Sequence, residues 1–252
     1  MNIRVLILAG GKGARMGATV PKSLVPICGK PIIDYILEAI AESGVDSKPA
    51  LVVGHDLEDL MKHVGDRAEF VIQNEQLGTG HAVMVAEDQL FDAETVLVSY
   101  GDHALYKPIT YKEIVEKHDA SNATITMLTT KLQNYDGWRS LFLHWGRIVR
   151  DTQGFVASIT EYKLCTEEEK TITEVNNGMY CFDGAWLWAN IDALQNDNAK
   201  GEYLLTDLIA RALQQDRRVE TIHCDPEHGI GVNTLEEVAI AENLICPDHK
   251  GQ

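Results

Sequence analysis

Short, unbroken apolar runs alternate along the first half of the chain with segments whose apolar residues recur at helical spacing. The runs at 5–8, 50–53, 70–72, 96–98 and 123–128 read as strands, nearly all of them apolar enough to be buried on both faces. Between them, Ile32, Ile33, Ile36, Leu37 and Ile40 recur at helical spacing after Pro31, and Gly44 is placed to end that helix. Asp56 is placed to cap a helix through Val64; Gly78-Thr79-Gly80 leads into a helix over 81–90, and 111–118 reads as another. This alternation predicts an α/β fold: a three-layer, Rossmann-like, mostly parallel sheet with helices on both faces.

The second half is less regular. Residues 133–145 carry Trp138, Leu141, Phe142 and Trp145 with no clean period. Strands are expected at 146–149, 156–159, 175–182 and 219–224, a charged turn or short helix at 167–170, and helices at 185–194 and 203–214. Thr234-Leu235-Glu236-Glu237 is a capping box for a last helix. No linker rich in Pro, Gly or Ser divides the chain. One domain is therefore expected over 1–246, with halves meeting near residue 130 and a polar tail at 247–252.

Composition narrows the classes. The 252 residues are 45% hydrophobic, as in ordinary globular proteins. A net charge of −16 argues against nucleic acid or an anionic membrane as a partner, and no apolar run approaches the ~20 residues that span a bilayer. Five cysteines, an odd number with no C-x-x-C, predict reduced thiols in a cytoplasmic protein and no zinc site.

Against this acidic background the first loop stands out. The strand ending in Leu8 and Ala9 runs into Gly10, Gly11, Gly13 and Gly17, with Lys12, Arg15 and Lys22 interleaved or close behind. Glycines let backbone N–H groups face a ligand, and outward N–H groups with cations make a polyphosphate cradle. Met16 breaks the G-x-G-x-x-G of dinucleotide folds, which argues against a nicotinamide-dependent dehydrogenase, and no register supplies a P-loop. Gln73 stands at a strand end, where its amide could read a base edge, followed by Gly78 and Thr79. Tyr100-Gly101-Asp102 ends another strand, and Asp102 with Asn233 could supply oxygens to Mg²⁺. All three stretches lie just past strand ends, so they could share one crevice.

The pattern L-A-x-G-x-G-x-R-M followed by Pro21-Lys22 resembles the sugar nucleotidyltransferase (pyrophosphorylase) family, and Leu77-Gly78-Thr79-Gly80-His81-Ala82 resembles the uracil-contacting loop of its bacterial N-acetylglucosamine-1-phosphate uridyltransferases. Gly146-Arg147-Ile148, Glu161-Tyr162-Lys163, Asn176-Asn177-Gly178 and the stretch 201–207 follow in the family's order, so the match runs from Leu6 to about Glu242. The resemblance implies a fold of nucleotide-diphospho-sugar transferase type. It implies that Leu8, Ala9, Gly10, Gly11, Gly13, Gln73, Gly78 and Thr79 bind the nucleotide, and that Lys22, Arg15 and Lys12 act on the phosphates. Tyr100, Gly146, Glu161 and Asn176 would bind the sugar, and Asp102 and Asn233 would hold Mg²⁺. The chain departs from the family pattern at Ala14, at His103-Ala104, at the longer 137–145 segment ending in Trp145, and at Asn177; the last three border the expected sugar site.

The expected reaction is attack by a phosphate oxygen of a sugar 1-phosphate, N-acetylglucosamine 1-phosphate by the resemblance, on the α-phosphorus of UTP, releasing pyrophosphate. Two readings stay open beside it. One is another pair, CTP or dTTP with a different phosphorylated substrate; the other is a non-catalytic nucleotide-sugar-binding regulator. The hexapeptide repeats of an acetyltransferase domain do not occur, so acetyl transfer is not expected.

Overall fold

Val5 and Ile7 point to one side of strand β1 (Ile3–Leu8) and Leu6 to the other, and all three are fully buried. A strand apolar on both sides can be stable only with a helical layer on each face. The computed structural model, which describes residues 2–11, 21–54 and 58–246, shows that arrangement. β1 pairs in parallel with β4 (Ala50–Val53) on one side and with β6 (Thr95–Tyr100) on the other, and β5 (Glu69–Ile72) extends the β4 side. Strand order therefore reverses at β1, and the C-terminal ends of β1 and β6 flank a crevice.

Beyond β6 the sheet becomes mixed. β10 (Glu174–Asp183) runs antiparallel between β6 and β7 (Ile125–Lys131), and β11 (Val219–Cys224) pairs in parallel with β7. β8 (Arg147–Arg150) pairs with β10 and with β9 (Val156–Thr160). Strands from both halves of the chain thus share one sheet. Helices α1 (Ile32–Ser43), α2 (Glu58–Val64), α5 (Pro108–Ser121) and α8 (Leu235–Ile245) bury apolar residues on the Val5 face. Helices α3 (Thr79–Met84), α4 (Glu87–Leu90), α6 (Gly184–Ile191) and α7 (Asp207–Gln214) do so on the Leu6 face. Among the described residues, no helix is long and apolar enough to cross a membrane.

Several elements differ from the sequence expectation for physical reasons. The helix expected over 203–214 starts only at Asp207, because the backbone before it pairs elsewhere: Tyr203 N–H donates to the Leu77 carbonyl (2.7 Å), and its carbonyl accepts from Gly80 N–H (2.8 Å). The helix expected over 81–90 is two short helices joined by a tight turn at Val85–Ala86. α5 is longer than 111–118 because Pro108 is suited to a first helical position and Asn122 closes the far end in the left-handed conformation. A hairpin of two-residue strands, β2 (Pro26–Ile27) and β3 (Lys30–Pro31), carries too little pattern to be read. The cap expected at Asp56 and the tail at 247–252 lie outside the described residues. The Gly44 terminus and the Thr234 capping box form as expected.

The cysteines require a correction. Cys28, in the turn of that hairpin, and Cys246, at the end of α8, form a disulfide, while Cys165, Cys181 and Cys224 are free and buried. Neither cysteine count nor motif signals a bridge between residues 218 positions apart; only folding α8 back over the first hairpin brings them together. Cys28 N–H also donates to the Glu242 carboxylate (3.0 Å), so the hairpin and α8 are joined twice. In a chain-entropy account so long a closed loop is worth about 5 kcal/mol at most. Cys28→Ser is therefore expected to lower the thermal midpoint by about 5–15 °C in scanning fluorimetry of oxidised protein. Equal midpoints would mean that the bridge does not form in solution.

Candidate functional site

The crevice beside β1 is a cavity of about 400 Å³ lined by Leu8, Ala9, Gly10, Gly11, Lys22, Gln73, Gly78, Thr79, Tyr100 and Asp102, together with Ser23, Gln76 and Glu202. Ten of the residues singled out from the sequence thus meet in one place. Lys12, Gly13 and Arg15 lie outside the described residues.

One wall is the loop after β5. The Gln73 amide donates to the Gly78 carbonyl (3.3 Å) and to His81 Nδ1 (3.0 Å), which fixes its plane and leaves Oε1 as its acceptor. That oxygen lies so close to Gly10 that a Cβ there would stand 2.9 Å from it. Gln76 donates to the Gly10 carbonyl (2.8 Å) and ties the two loops together. Gly78 has φ of +108°, and a Cβ on it would meet the Tyr203 carbonyl oxygen at 2.5 Å. Thr79 does not cap α3; its hydroxyl accepts from Leu205 N–H (3.1 Å). Residues 203–205 are therefore a strap that holds the loop in place. Gln76, His81 and the strap were not read as site-forming from sequence, although Gln76 sits inside the stretch that drew attention.

At the mouth of β6 three distant segments converge. Lys22 lies in a single tight turn (Lys22–Leu24) after Pro21. Its ammonium donates to Asp102 Oδ2 and to Asn233 Oδ1, both at 2.6 Å. Asp102 is placed by β6 and by Val232 N–H, which donates to the Asp102 carbonyl (2.9 Å). Asn233 is held by its N–H, which donates to Glu237 in the first turn of α8. Burial pushes the Asp102 carboxyl up, but the Lys22 ammonium, aided by His103, more than offsets it, so the group lies below the ordinary carboxylate range and is ionised at neutral pH. Asp102 Oδ1 is buried with no hydrogen-bond partner; His103 Nε2 is 3.6 Å away. Among the described residues, no group of three or more His, Cys, Asp or Glu could hold a metal alone. A carboxylate and an amide oxygen nevertheless fit Mg²⁺, which takes one or two protein oxygens with substrate phosphates.

Gly146, Glu161 and Asn176 form a second cluster. Asn176 N–H donates to the Gly146 carbonyl (2.9 Å), and a Cβ on Gly146 would stand 3.7 Å from the Glu161 carboxylate. A register shift between Asn176 and Tyr180 turns this end of β10, and the Asn176 side chain bonds the Tyr180 hydroxyl (2.7 Å). The Tyr180 ring lies edge-on to Tyr100, 6.5 Å between centroids, so Tyr100 stands between cluster and cavity. Burial pushes the Tyr100 phenol up to about 12, leaving it a neutral hydroxyl.

Of the four departures from the family pattern, Ala14 lies outside the described residues and the other three acquire structural roles. Asn177 is buried, accepts from the Tyr106 hydroxyl (2.7 Å to its carbonyl) and donates to Thr130. His103 stacks on Tyr106 (4.9 Å) and meets the edge of Trp145 (5.7 Å). The segment ending in Trp145 is moored by Arg147, fully buried, which donates to the Trp145 and Leu143 carbonyls (2.7 and 2.8 Å) between the Tyr135 and Tyr162 rings.

This fold, with its crevice at the strand-order reversal, is that of the nucleotide-diphospho-sugar transferase type. A solved structure described as a glucose-1-phosphate thymidylyltransferase from Bacillus anthracis, in complex with sucrose, superposes with a TM-score of 0.78 over 99% of this chain and 98% of its own, at 18% identity, a likeness of fold. The nucleotidyl transferase family matches residues 4–225, and the chain belongs to that family. It is 40% identical over 242 residues to the bifunctional protein GlmU of Heliobacterium modesticaldum (95% of this chain, 51% of that protein) and 36% identical over 246 residues to GlmU of Clostridioides difficile (97% and 52%). The chain thus spans about half the length of the curated relatives it matches.

Two outcomes follow from this geometry. Gly78→Ala forces a Cβ into the strap at a positive φ, and it should cost about 2 kcal/mol or more of stability and at least about tenfold in nucleotide affinity by calorimetry; unchanged affinity would mean that the loop does not contact nucleotide. Burial holds His103 and His118 below the ordinary imidazole pKa. Both states are neutral above about pH 6.5, whereas below it the unfolded chain takes up protons that the folded one resists. The thermal midpoint should therefore fall between about pH 6.5 and 5, and His118→Gln should flatten that slope.

Proposed function

We propose that this protein transfers a uridylyl group from UTP to N-acetylglucosamine 1-phosphate in a Mg²⁺-dependent reaction. The observation that carries the proposal is the Lys22 ammonium set between the Asp102 and Asn233 oxygens at the edge of the cavity that Gln73, Gly78, Thr79 and the first glycines line. Nucleotide, phosphate chemistry and sugar then have adjoining places. Gln73 Oε1 and the Gly78 loop receive the base, and Gly10 and Gly11 lie along the phosphates. Tyr100, Asn176 and Glu161 receive the sugar.

A phosphate oxygen of the sugar 1-phosphate forms the new bond to the α-phosphorus as the bond from that phosphorus to the β-phosphate oxygen breaks, and pyrophosphate carries the electron pair away. No proton has to be moved and no side chain has to be acylated or phosphorylated. The lining hydroxyls are engaged, Thr79 with Leu205 N–H and Ser23 with the Gly101 carbonyl (3.4 Å). The work left to the protein is positioning and charge compensation. Asp102 and Asn233 would hold Mg²⁺, which when bound neutralises phosphate charge. Lys22 supplies a mobile positive charge beside the α-phosphate, and Lys12 and Arg15 would steady the leaving pyrophosphate.

The uridylyl and N-acetylglucosamine assignments rest on the likeness to the GlmU proteins. The test is pyrophosphate release with each nucleoside triphosphate paired with a panel of sugar 1-phosphates. UTP with N-acetylglucosamine 1-phosphate is expected to be turned over best, and Lys22→Ala to lose about 10²–10³ in kcat with the fold intact. Preference for another pair would overturn the substrate assignment, and no release with any pair would overturn the reaction.

A further inference from the structure

We propose that Lys22 is the resident counter-ion of the Asp102–Asn233 oxygen pair and that it exchanges places with the divalent cation, moving to the phosphates as the metal takes the oxygens. The inference rests on the functional reading above and adds to it a second role for Lys22.

The geometry is specific. One ammonium makes two hydrogen bonds of 2.6 Å to the two side chains that are also the best candidates to hold the metal. The Lys22 and Asp102 side chains are only 15% and 19% exposed, so the carboxylate is largely withdrawn from water and needs a positive partner in the ligand-free protein. Lysine suits that role: its charge is compact and its stem flexible, so it can leave without the fold changing. Asp102 Oδ1 meanwhile has no hydrogen-bond partner, and it is an acceptor that a cation of higher coordination number could use and the ammonium does not.

An ammonium and a divalent ion cannot both sit at contact distance on these two oxygens, because each would face the other's charge with little water between. Occupancy is therefore exclusive. Released from the pair, the Lys22 ammonium remains at the cavity that its side chain lines, where the phosphates would supply new oxygens. Metal alone would have to displace the ammonium with no compensation. Metal arriving with nucleotide gives it a new partner. Metal and nucleotide affinities are thus coupled through Lys22, and the coupling is reciprocal.

The test measures Mn²⁺ binding by electron paramagnetic resonance on the full chain. Without nucleotide, Lys22→Met, which keeps an unbranched stem and drops the charge, is expected to bind Mn²⁺ at least about tenfold more tightly than the wild type. The gain should vanish when Asp102→Asn is added. UTP should raise the Mn²⁺ affinity of the wild type far more than that of Lys22→Met. Equal or weaker Mn²⁺ binding by folded Lys22→Met would overturn the exchange while leaving nucleotidyl transfer standing. A UTP-dependent Mn²⁺ affinity unchanged by Asp102→Asn alone would overturn the metal reading itself. A measurement on the wild type guards against a variant that does not fold: reductive methylation of Lys22, followed by peptide mass mapping, should speed up when Mn²⁺ is added without nucleotide at concentrations above the dissociation constant that resonance gives for the nucleotide-free protein. A rate indifferent to saturating Mn²⁺ would overturn the exchange.

Discussion

A carboxylate largely withdrawn from water needs a compensating charge, and much of this molecule is arranged around meeting that need at Asp102. The compensation comes from Lys22, 80 residues earlier in the chain, and the same ammonium reaches Asn233, 211 residues later. No local element could assemble these three groups. β6 presents Asp102 only because β1 and β6 pair in register, Leu8 opposite Tyr100. Asn233 is fixed because α8 begins one residue after its Thr234 cap, and the far end of α8 is bound to the hairpin that follows Lys22 through Cys28 and Cys246. The disulfide and the ion pair thus close the same loop of structure from opposite ends.

The remainder of the crevice follows a similar economy of fixed backbone. Residues 203–205 could have continued α7 by their apolar spacing, yet they stay out of the helix because Leu77, Thr79 and Gly80 take the hydrogen bonds of Tyr203 and Leu205. In return they hold Gly78 at a conformation that only glycine adopts readily. A loop held in this way presents backbone and the Gln73 amide to a ligand with little ordering left to do on binding.

Fold class was legible in the sequence because the central strands are buried on both faces, which leaves a continuous apolar run in each. β10 shows the limit: its second part, Met179 to Phe182, is as apolar as the other strands, but nothing in it says that it inserts antiparallel between β6 and β7. The candidate site was legible wherever chemistry and glycine coincide in a short stretch, as at Gly10, Gln73–Thr79 and Asp102. Residues whose importance comes from what they brace were not. Gln76, His81, Arg147 and Tyr203 lie in or beside stretches that drew attention, but nothing local says what each one braces, and Arg147 in particular is a buried cation held by carbonyls and two tyrosine rings, an environment made entirely by tertiary structure. The same holds for Cys28 and Cys246, whose separation conceals their pairing. His103, Trp145 and Asn177 stood out as unusual, and the structure joins them around one aromatic contact: His103 packs on Tyr106 and against Trp145, and the Tyr106 hydroxyl donates to Asn177.

The central claim is that two substrates meet in one crevice and react directly, with the protein supplying position and charge. Isotope exchange tests it most directly. Labelled pyrophosphate, incubated with UTP, Mg²⁺ and the protein, is predicted to enter UTP only when the sugar 1-phosphate or the nucleotide sugar is also present. Exchange in the absence of any sugar would reveal a uridylylated enzyme and contradict the account.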